Sequence, residues 1–470
     1  MKKDKKIYHL FTIVSLGFCA SCQNEMNPIN DFGIYEAFND TTLVNIVEET
    51  PPNLTIREGT ISQHEETIRI LRNGVAEAIV HLEEPIIVSQ ANREENWGFF
   101  QFPMLFRDTS GKLIASWQMN EDSYTAYGKE SACSLMSFNE GLTWEELDNY
   151  FFPRKRNRVE FTSGDFLQVH NPIAKNISQY KVFPSPAYPE SINGYVFYYE
   201  SEVPEDLKGV YLEYWKNDIK DTIVLHGSIY DPGLLRYTVD GHMPIIWWGD
   251  IKKLSNNNLI AGVYGGYYLN SEGKPLRSAV AFYYSNDLGN HWKRVGIIPY
   301  QLSREEDYNF FVFDGADGFT EPTFEILRDG SILCIMRSGN DTPMYKSFSY
   351  DNGYHWSIPE PFTPNGVMPR LLLLENGVLV LSSGRPGVQI RFCIDGDGRN
   401  WTEPIDMMPF MRDGKYNKWS DTCGYTTIIP AENGVSFYIV YSDFKLKDSN
   451  GEMRKAILFR KVSVYSKENY

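Results

Sequence analysis

An eight-residue pattern, Ser-x-Asp/Asn-x-Gly-x-Thr/His-Trp, recurs along this chain of 470 residues and limits what it can fold into more than any other feature. Ser137 to Trp144, Ser285 to Trp292 and Ser349 to Trp356 match it in full, and Cys393 to Trp401 is a looser copy with one extra residue. An Asp or Asn oxygen accepts backbone N–H bonds inside a tight turn, Gly supplies a positive φ, and Trp plugs the space beneath. Each octet therefore pins a hairpin, and four of them mark a repeat architecture of antiparallel sheets. The Trp residues lie 148, 64 and 45 positions apart, so the first gap holds a repeat that has lost its octet.

The stretch 318–356 shows how one repeat is built. Phe324 and Ile326, then Ile332, Leu333, Ile335 and Met336, form two apolar runs separated by Asp329-Gly330, a strong hairpin signal. Glu321 stands before the first run and Arg337 ends the second, so the hairpin brings an acid and a base to one rim. Such texture runs from about residue 76 to the end, with no long amphipathic helical pattern beyond about residue 80. Thirty-six glycines and 14% aromatic residues fit many short strands joined by tight turns.

Residues 1–22 read as a targeting segment. Lys2, Lys3, Lys5 and Lys6 precede a short apolar run and then Cys19-Ala20-Ser21-Cys22, which resembles a bacterial lipoprotein signal with Cys22 as the lipidated residue. The expectation is a protein on the cell envelope or secreted, touching a membrane only through an N-terminal lipid. Residues 23–75 are polar, contain Pro51-Pro52, and read as a tether with room for a strand or two. Cys133, Cys334, Cys393 and Cys423 are too widely spaced for a zinc site or a disulfide framework and read as buried thiols. The net charge of −16, about −19 without the first 21 residues, repels phosphate backbones and excludes nucleic acid as a natural partner.

The octets are similar to the Asp boxes of the sialidase (neuraminidase) superfamily. That resemblance implies an all-β, six-bladed β-propeller over residues 76–470, with the octets on turns away from the active face. Blades are expected at about 97–150, 160–235, 240–300, 315–360, 365–405 and 420–466, with 76–95 supplying the strand that closes the ring. The second, with the acidic and aromatic run 197–222, reads either as a blade or as an insertion.

The same resemblance implies an exo-glycosidase acting on a terminal acidic sugar, as a monomer and without cofactor or metal. Glu321 in Thr320-Glu321-Pro322 and Arg337, 16 positions later, match the family's paired glutamate and second arginine. Arg385 in Ser383-Gly384-Arg385-Pro386 resembles the third arginine, with Arg391 a weaker competitor, and Tyr425 in Cys423-Gly424-Tyr425-Thr426 stands where the nucleophile is expected. The chemistry is specific: an anomeric carboxylate repels a carboxylate nucleophile but not a phenol activated by Glu. Arginine forks suit that carboxylate.

Two positions depart from the family. Gln101, in Phe100-Gln101-Phe102-Pro103, replaces the first arginine, and the acid/base is either Asp122 or Glu130. These departures leave open a glycosidase for another sugar, a uronic-acid lyase, or a glycan-binding lipoprotein without turnover. Trp247-Trp248-Gly249-Asp250 reads as blade packing rather than a sugar platform, and Asp421 as a secondary acid. Asp314 to Asp317 lacks the spacing of a calcium loop, and His170 and His242 read as structural.

Overall fold

The computed structural model describes residues 43–47, 64–108, 110–123, 132–146, 158–161, 165–216, 222–245, 247, 249–254, 257–300, 318–339, 342–408 and 421–467. Its strands form a six-bladed β-propeller. Blade 1 is Phe99–Arg107, Leu113–Met119, Ala132–Ser137 and Glu145–Glu146; blade 2 is Arg158–Glu160, Phe166–His170, Val210–Trp215 and Thr222–Tyr230. Blade 3 is Gly249–Lys253, Leu259–Gly266, Ala279–Ser285 and His291–Ile298; blade 4 is Thr320–Ile326, Ile332–Arg337, Met344–Ser349 and Glu360–Thr363. Blade 5 is Val367–Leu373, Leu379–Gly384, Val388–Cys393 and Ile405–Asp406. Blade 6 is Thr426–Pro430, Ser436–Lys447 and Met453–Ser466, completed by Ile86–Gln90 from ahead of blade 1. That pairing closes the ring.

Segment 171–248 resolves the ambiguity of the second repeat in favour of both readings. Strands at 158–160, 166–170, 210–215 and 222–230 make a blade, while Lys175–Asn176, Tyr195–Tyr199, Leu235–Val239 and His242–Met243 pair as a separate insert sheet. Within the expected tether, Leu43–Val47 and Glu66–Arg72 are strands that extend the sheet of blade 6. Cys334, Cys393 and Cys423 are buried, but Cys133 is exposed, contrary to expectation, because the third strand of blade 1 opens to solvent at its start.

The octets fasten blade to blade. In the third copy the Ser349 hydroxyl donates to Asp351 Oδ1 at 2.9 Å and accepts from the Gly353 N–H at 2.8 Å, while Asp351 Oδ1 accepts from the His355 N–H at 2.8 Å. Ser137 with Asn139 and Ser285 with Asp287 make the same set. Their glycines need positive φ and also lie against the preceding blade: a Cβ on Gly141 would meet Phe459 at 2.2 Å, and one on Gly353 would meet Ile260 at 3.0 Å. The Trp residues pack the same way, Trp144 on Phe459, Trp356 on Phe282 and Trp401 on Phe362. Trp247, 5% exposed and edge-on to Trp292 at 4.8 Å, is core.

Replacing Ser349 by Ala strands the buried Gly353 N–H and should cost about 1–3 kcal/mol. Urea unfolding should show the midpoint falling with little change in slope, and any catalytic rate measured on the folded protein should be unaffected.

Candidate active site

Propeller geometry places the site before any side chain is considered. In each blade the innermost strand starts, and the second strand ends, at the same end of the ring, whereas the octets follow the third strand and lie at the other end. Glu321 is near the start of the innermost strand of blade 4, Arg337 ends its second strand, Arg385 follows the second strand of blade 5, and Tyr425 precedes the innermost strand of blade 6. All four therefore converge on one end.

Their side chains meet around one carboxylate. Glu321 Oε1 accepts from the Tyr425 hydroxyl and from Arg337 Nη1 at 2.9 Å, and Oε2 accepts from the Met368 N–H of blade 5 at 2.8 Å. Arg337 is held in turn by Nε donating to the Gly339 carbonyl at 3.0 Å. The Arg385 guanidinium lies 5.7 Å from the centre of the Tyr425 ring. Two glycines make that neighbourhood possible, since a Cβ on Gly384 would sit 2.0 Å from the Gly424 carbonyl oxygen and one on Gly424 would sit 2.9 Å from Arg385. The Gly-Arg and Gly-Tyr pairs are thus a sequence record of two blades touching.

Three strand starts share a further device. Phe102, Glu321 and Met368 each precede a proline, and each has a positive φ of 51°, 47° and 44° respectively, beside a break in strand register. Such backbone is costly for a residue with a Cβ and clusters at functional sites. Here it turns Glu321 towards Tyr425 and the Met368 N–H towards Glu321. The recurring X-Pro at strand starts was a signal available in the sequence for Phe102 and Met368, which reading by residue chemistry passed over.

Electrostatics fix the resting protons. Burial pushes the Glu321 carboxyl up, but the Arg337 guanidinium, the Tyr425 hydroxyl and Arg385 outweigh it and hold the group below its ordinary value. Burial, followed by the Glu321 charge, pushes the Tyr425 phenol well above its usual range. At neutral pH the pair is a carboxylate beside a protonated phenol. Among the described residues of this cluster, two arginines face one glutamate, within a chain of net charge −16.

The other expected residues fall elsewhere. Arg391 is buried on the third strand of blade 5 beside Gln389, with burial lowering its pKa to about 10, and so belongs to the packing of that blade. Asp421 pairs with Lys445 at 2.7 Å, which ties its carboxylate into blade 6. Asp250 pairs with Arg370 at 3.0 Å and accepts from the Thr323 hydroxyl at 2.6 Å, linking blades 3, 4 and 5. Asp122 is exposed and accepts from Trp97 Nε1 at 3.2 Å, and Trp97 belongs to the cluster that contains Phe102 and Tyr425. The Phe102 ring lies 4.9 Å from that of Tyr425, and Gln101 beside it is fully buried. Glu130 and Cys22 lie outside the described residues.

No protein-family model matches the chain, and no curated protein matches it in sequence. Among solved structures it is similar to a protein of unknown function from Dyadobacter fermentans DSM 18053, with a TM-score of 0.52 and 15% identity over 82% of this chain and 99% of that one. It also aligns with the Hadza microbial sialidase Hz136 (TM-score 0.47, 14% identity, 82% of this chain and 69% of that one). A third alignment is with Penicillium chrysogenum alpha-L-arabinanase complexed with arabinobiose (TM-score 0.43, 15% identity, 80% of this chain and 98% of that one). At these identities the likeness is one of fold, and the chemistry rests on the side chains.

Because the folded Glu321 titrates below its ordinary value of 4.5, its charge stabilises the fold above that pH and the benefit is lost as pH falls through the folded value. Urea midpoints measured from about pH 3 to 7 should therefore decline less steeply on the acid side in Glu321→Gln than in the native protein. Identical slopes would mean that the carboxyl is not held ionised.

Proposed function

We propose that this protein is a glycoside hydrolase that removes a terminal acidic sugar from glycans, with Tyr425 as nucleophile. The observation that carries the reading is the hydrogen bond from the buried Tyr425 hydroxyl to a Glu321 carboxylate flanked by Arg337. Packing alone has no use for a phenol, a carboxylate and two guanidiniums at one end of a propeller.

The geometry gives each group a task. Tyr425 Oη attacks the anomeric carbon as its proton passes to Glu321, and the phenol spares the attack the repulsion that a carboxylate nucleophile would meet at an acidic sugar. Arg337 and Arg385 hold the sugar's acid group. Asp122 protonates the departing oxygen and then activates the water that releases the sugar from Tyr425. Charge also couples binding to reactivity. The same guanidiniums that keep Glu321 weakly basic are partly neutralised when they bind an anion, which raises the basicity of Glu321 when Tyr425 must lose its proton. The resting pair is protected from premature ionisation, and the anionic substrate removes the protection. Lipidation at Cys22 and action outside the cytoplasm belong to the same proposal.

Incubating the protein with a panel of sialosides and uronic-acid oligosaccharides tests the reaction class. Release of the free acidic sugar is expected, and an unsaturated product absorbing in the ultraviolet would indicate elimination instead. Tyr425→Phe and Glu321→Gln should each lower kcat by about 10²–10⁴-fold. Arg385→Met should act mainly on KM, through the loss of about 1.5–3 kcal/mol of charge-assisted binding.

A further inference from the structure

The chain enters blade 1 by way of the ring junction. After Ile86–Gln90, the outer strand of blade 6, residues 91–98 cross the site end of the ring and feed Phe99–Arg107, the innermost strand of blade 1. Blade 6 holds this crossing where it starts and where it turns. The Ala91 N–H donates to the Lys455 carbonyl at 2.8 Å, and Lys455 Nζ donates to the Asn96 carbonyl at 2.6 Å and to the Phe99 carbonyl at 3.2 Å. The same ammonium lies 4.4 Å from the centre of the Phe444 ring, against which Trp97 packs edge-on with ring centres 6.2 Å apart. One lysine and one phenylalanine of blade 6 thus set the position of Trp97.

The crossing in turn grips the segment that carries Asp122. Trp97 Nε1 donates to Asp122 Oδ2 at 3.2 Å. Gly98, with a φ of 98°, lies against the same segment: a Cβ there would sit 2.6 Å from the Asp122 nitrogen and 2.8 Å from Glu121 Cα. Only glycine permits that approach. The buried Gln118 adds a second hold, its Nε2 donating to the Asn120 carbonyl at 3.0 Å and to the Glu121 carbonyl at 3.3 Å. An exposed aspartate on a loop ordinarily keeps its rotamer freedom, whereas here backbone and carboxylate are both fixed. They are fixed beside the nucleophile, since Trp97, Phe102 and Tyr425 share one cluster.

An indole N–H only donates. It can therefore hold Oδ2 through a whole cycle, in which Oδ1 gives its proton to the departing oxygen as the glycosidic bond breaks and Tyr425 Oη bonds to the anomeric carbon. Oδ1 then takes a proton from the water that releases the sugar. We propose that Trp97 is the positioning residue for Asp122 as acid and base of the reaction, and that Lys455 positions Trp97, so that closure of the ring by blade 6 sets the acid in place. The inference rests on the hydrolase reading for the role of Asp122, and on the contacts of residues 96–98 for the role of Trp97.

A sugar oxygen needs a proton to depart and a nitrophenolate does not, so kcat/KM on sialyllactose and on a nitrophenyl sialoside separates misplacement of Asp122 from general damage. In Asp122→Asn the sialyllactose value should fall about 10²–10⁴-fold and the nitrophenyl value less than about tenfold. Trp97→Phe and Lys455→Met should each lower the sialyllactose value about tenfold to a hundredfold and leave the nitrophenyl value within about threefold. Equal losses on the two compounds in Trp97→Phe, or a selective loss in Asp122→Asn alone, overturn the inference and leave the hydrolase reading intact. Turnover of neither compound by the native protein overturns that reading instead, and the hold of Trp97 on Asp122 is then decided by nuclear magnetic resonance of the protein with isotope-labelled tryptophan. The Trp97 indole N–H signal, identified by its absence in Trp97→Phe, should move in Asp122→Asn and in Lys455→Met, and a signal unmoved in either rejects the inference.

Discussion

The Glu321 carboxylate is the point on which this structure turns. It is 8% exposed, sits on blade 4, and accepts hydrogen bonds from Arg337 of its own blade, from the Met368 backbone of blade 5 and from Tyr425 of blade 6. A buried carboxylate is tolerated only when paired and hydrogen-bonded, so three blades must be in register for this residue to be ionised. Assembly of the ring and preparation of the site are therefore one event.

The two ends of the ring divide the work. At one end, turns with positive-φ glycines and Asp or Asn side chains fasten each blade to the one before it, by contacts such as Gly353 against Ile260 and Trp356 against Phe282. At the other, strand starts at Phe102, Glu321 and Met368 adopt strained backbone and aim groups inward. Strain at one end is sustained because packing at the other over-determines the frame. The insert sheet built from 175–243 arises from connections at the site end, between the second and third strands of blade 2 and between blades 2 and 3, so it leaves the fasteners at the other end untouched.

Local chemistry was legible from the chain; geometry between distant segments was not. The octets announced themselves because each is complete within eight residues, and Asp329-Gly330 announced its hairpin for the same reason. Glu321, Arg337, Arg385 and Tyr425 were legible through residue types in their short contexts. The Met368 N–H was not, since a backbone donor has no residue type. Arg391 competed with Arg385 because the two are close in sequence, but Arg385 lies on the turn at the site end of blade 5 whereas Arg391 lies inside the strand that leaves that turn.

The central claim is that a phenol, not a carboxylate, makes the bond to the sugar. Treating the protein with a 2,3-difluorinated sialic acid, which slows release of the sugar once it is transferred, and locating the adduct by mass spectrometry of proteolytic fragments addresses it directly. The structure predicts one adduct, on Tyr425, that disappears in Tyr425→Phe. An adduct on an Asp or Glu side chain, or steady hydrolysis of sialosides by Tyr425→Phe at the native rate, would contradict it.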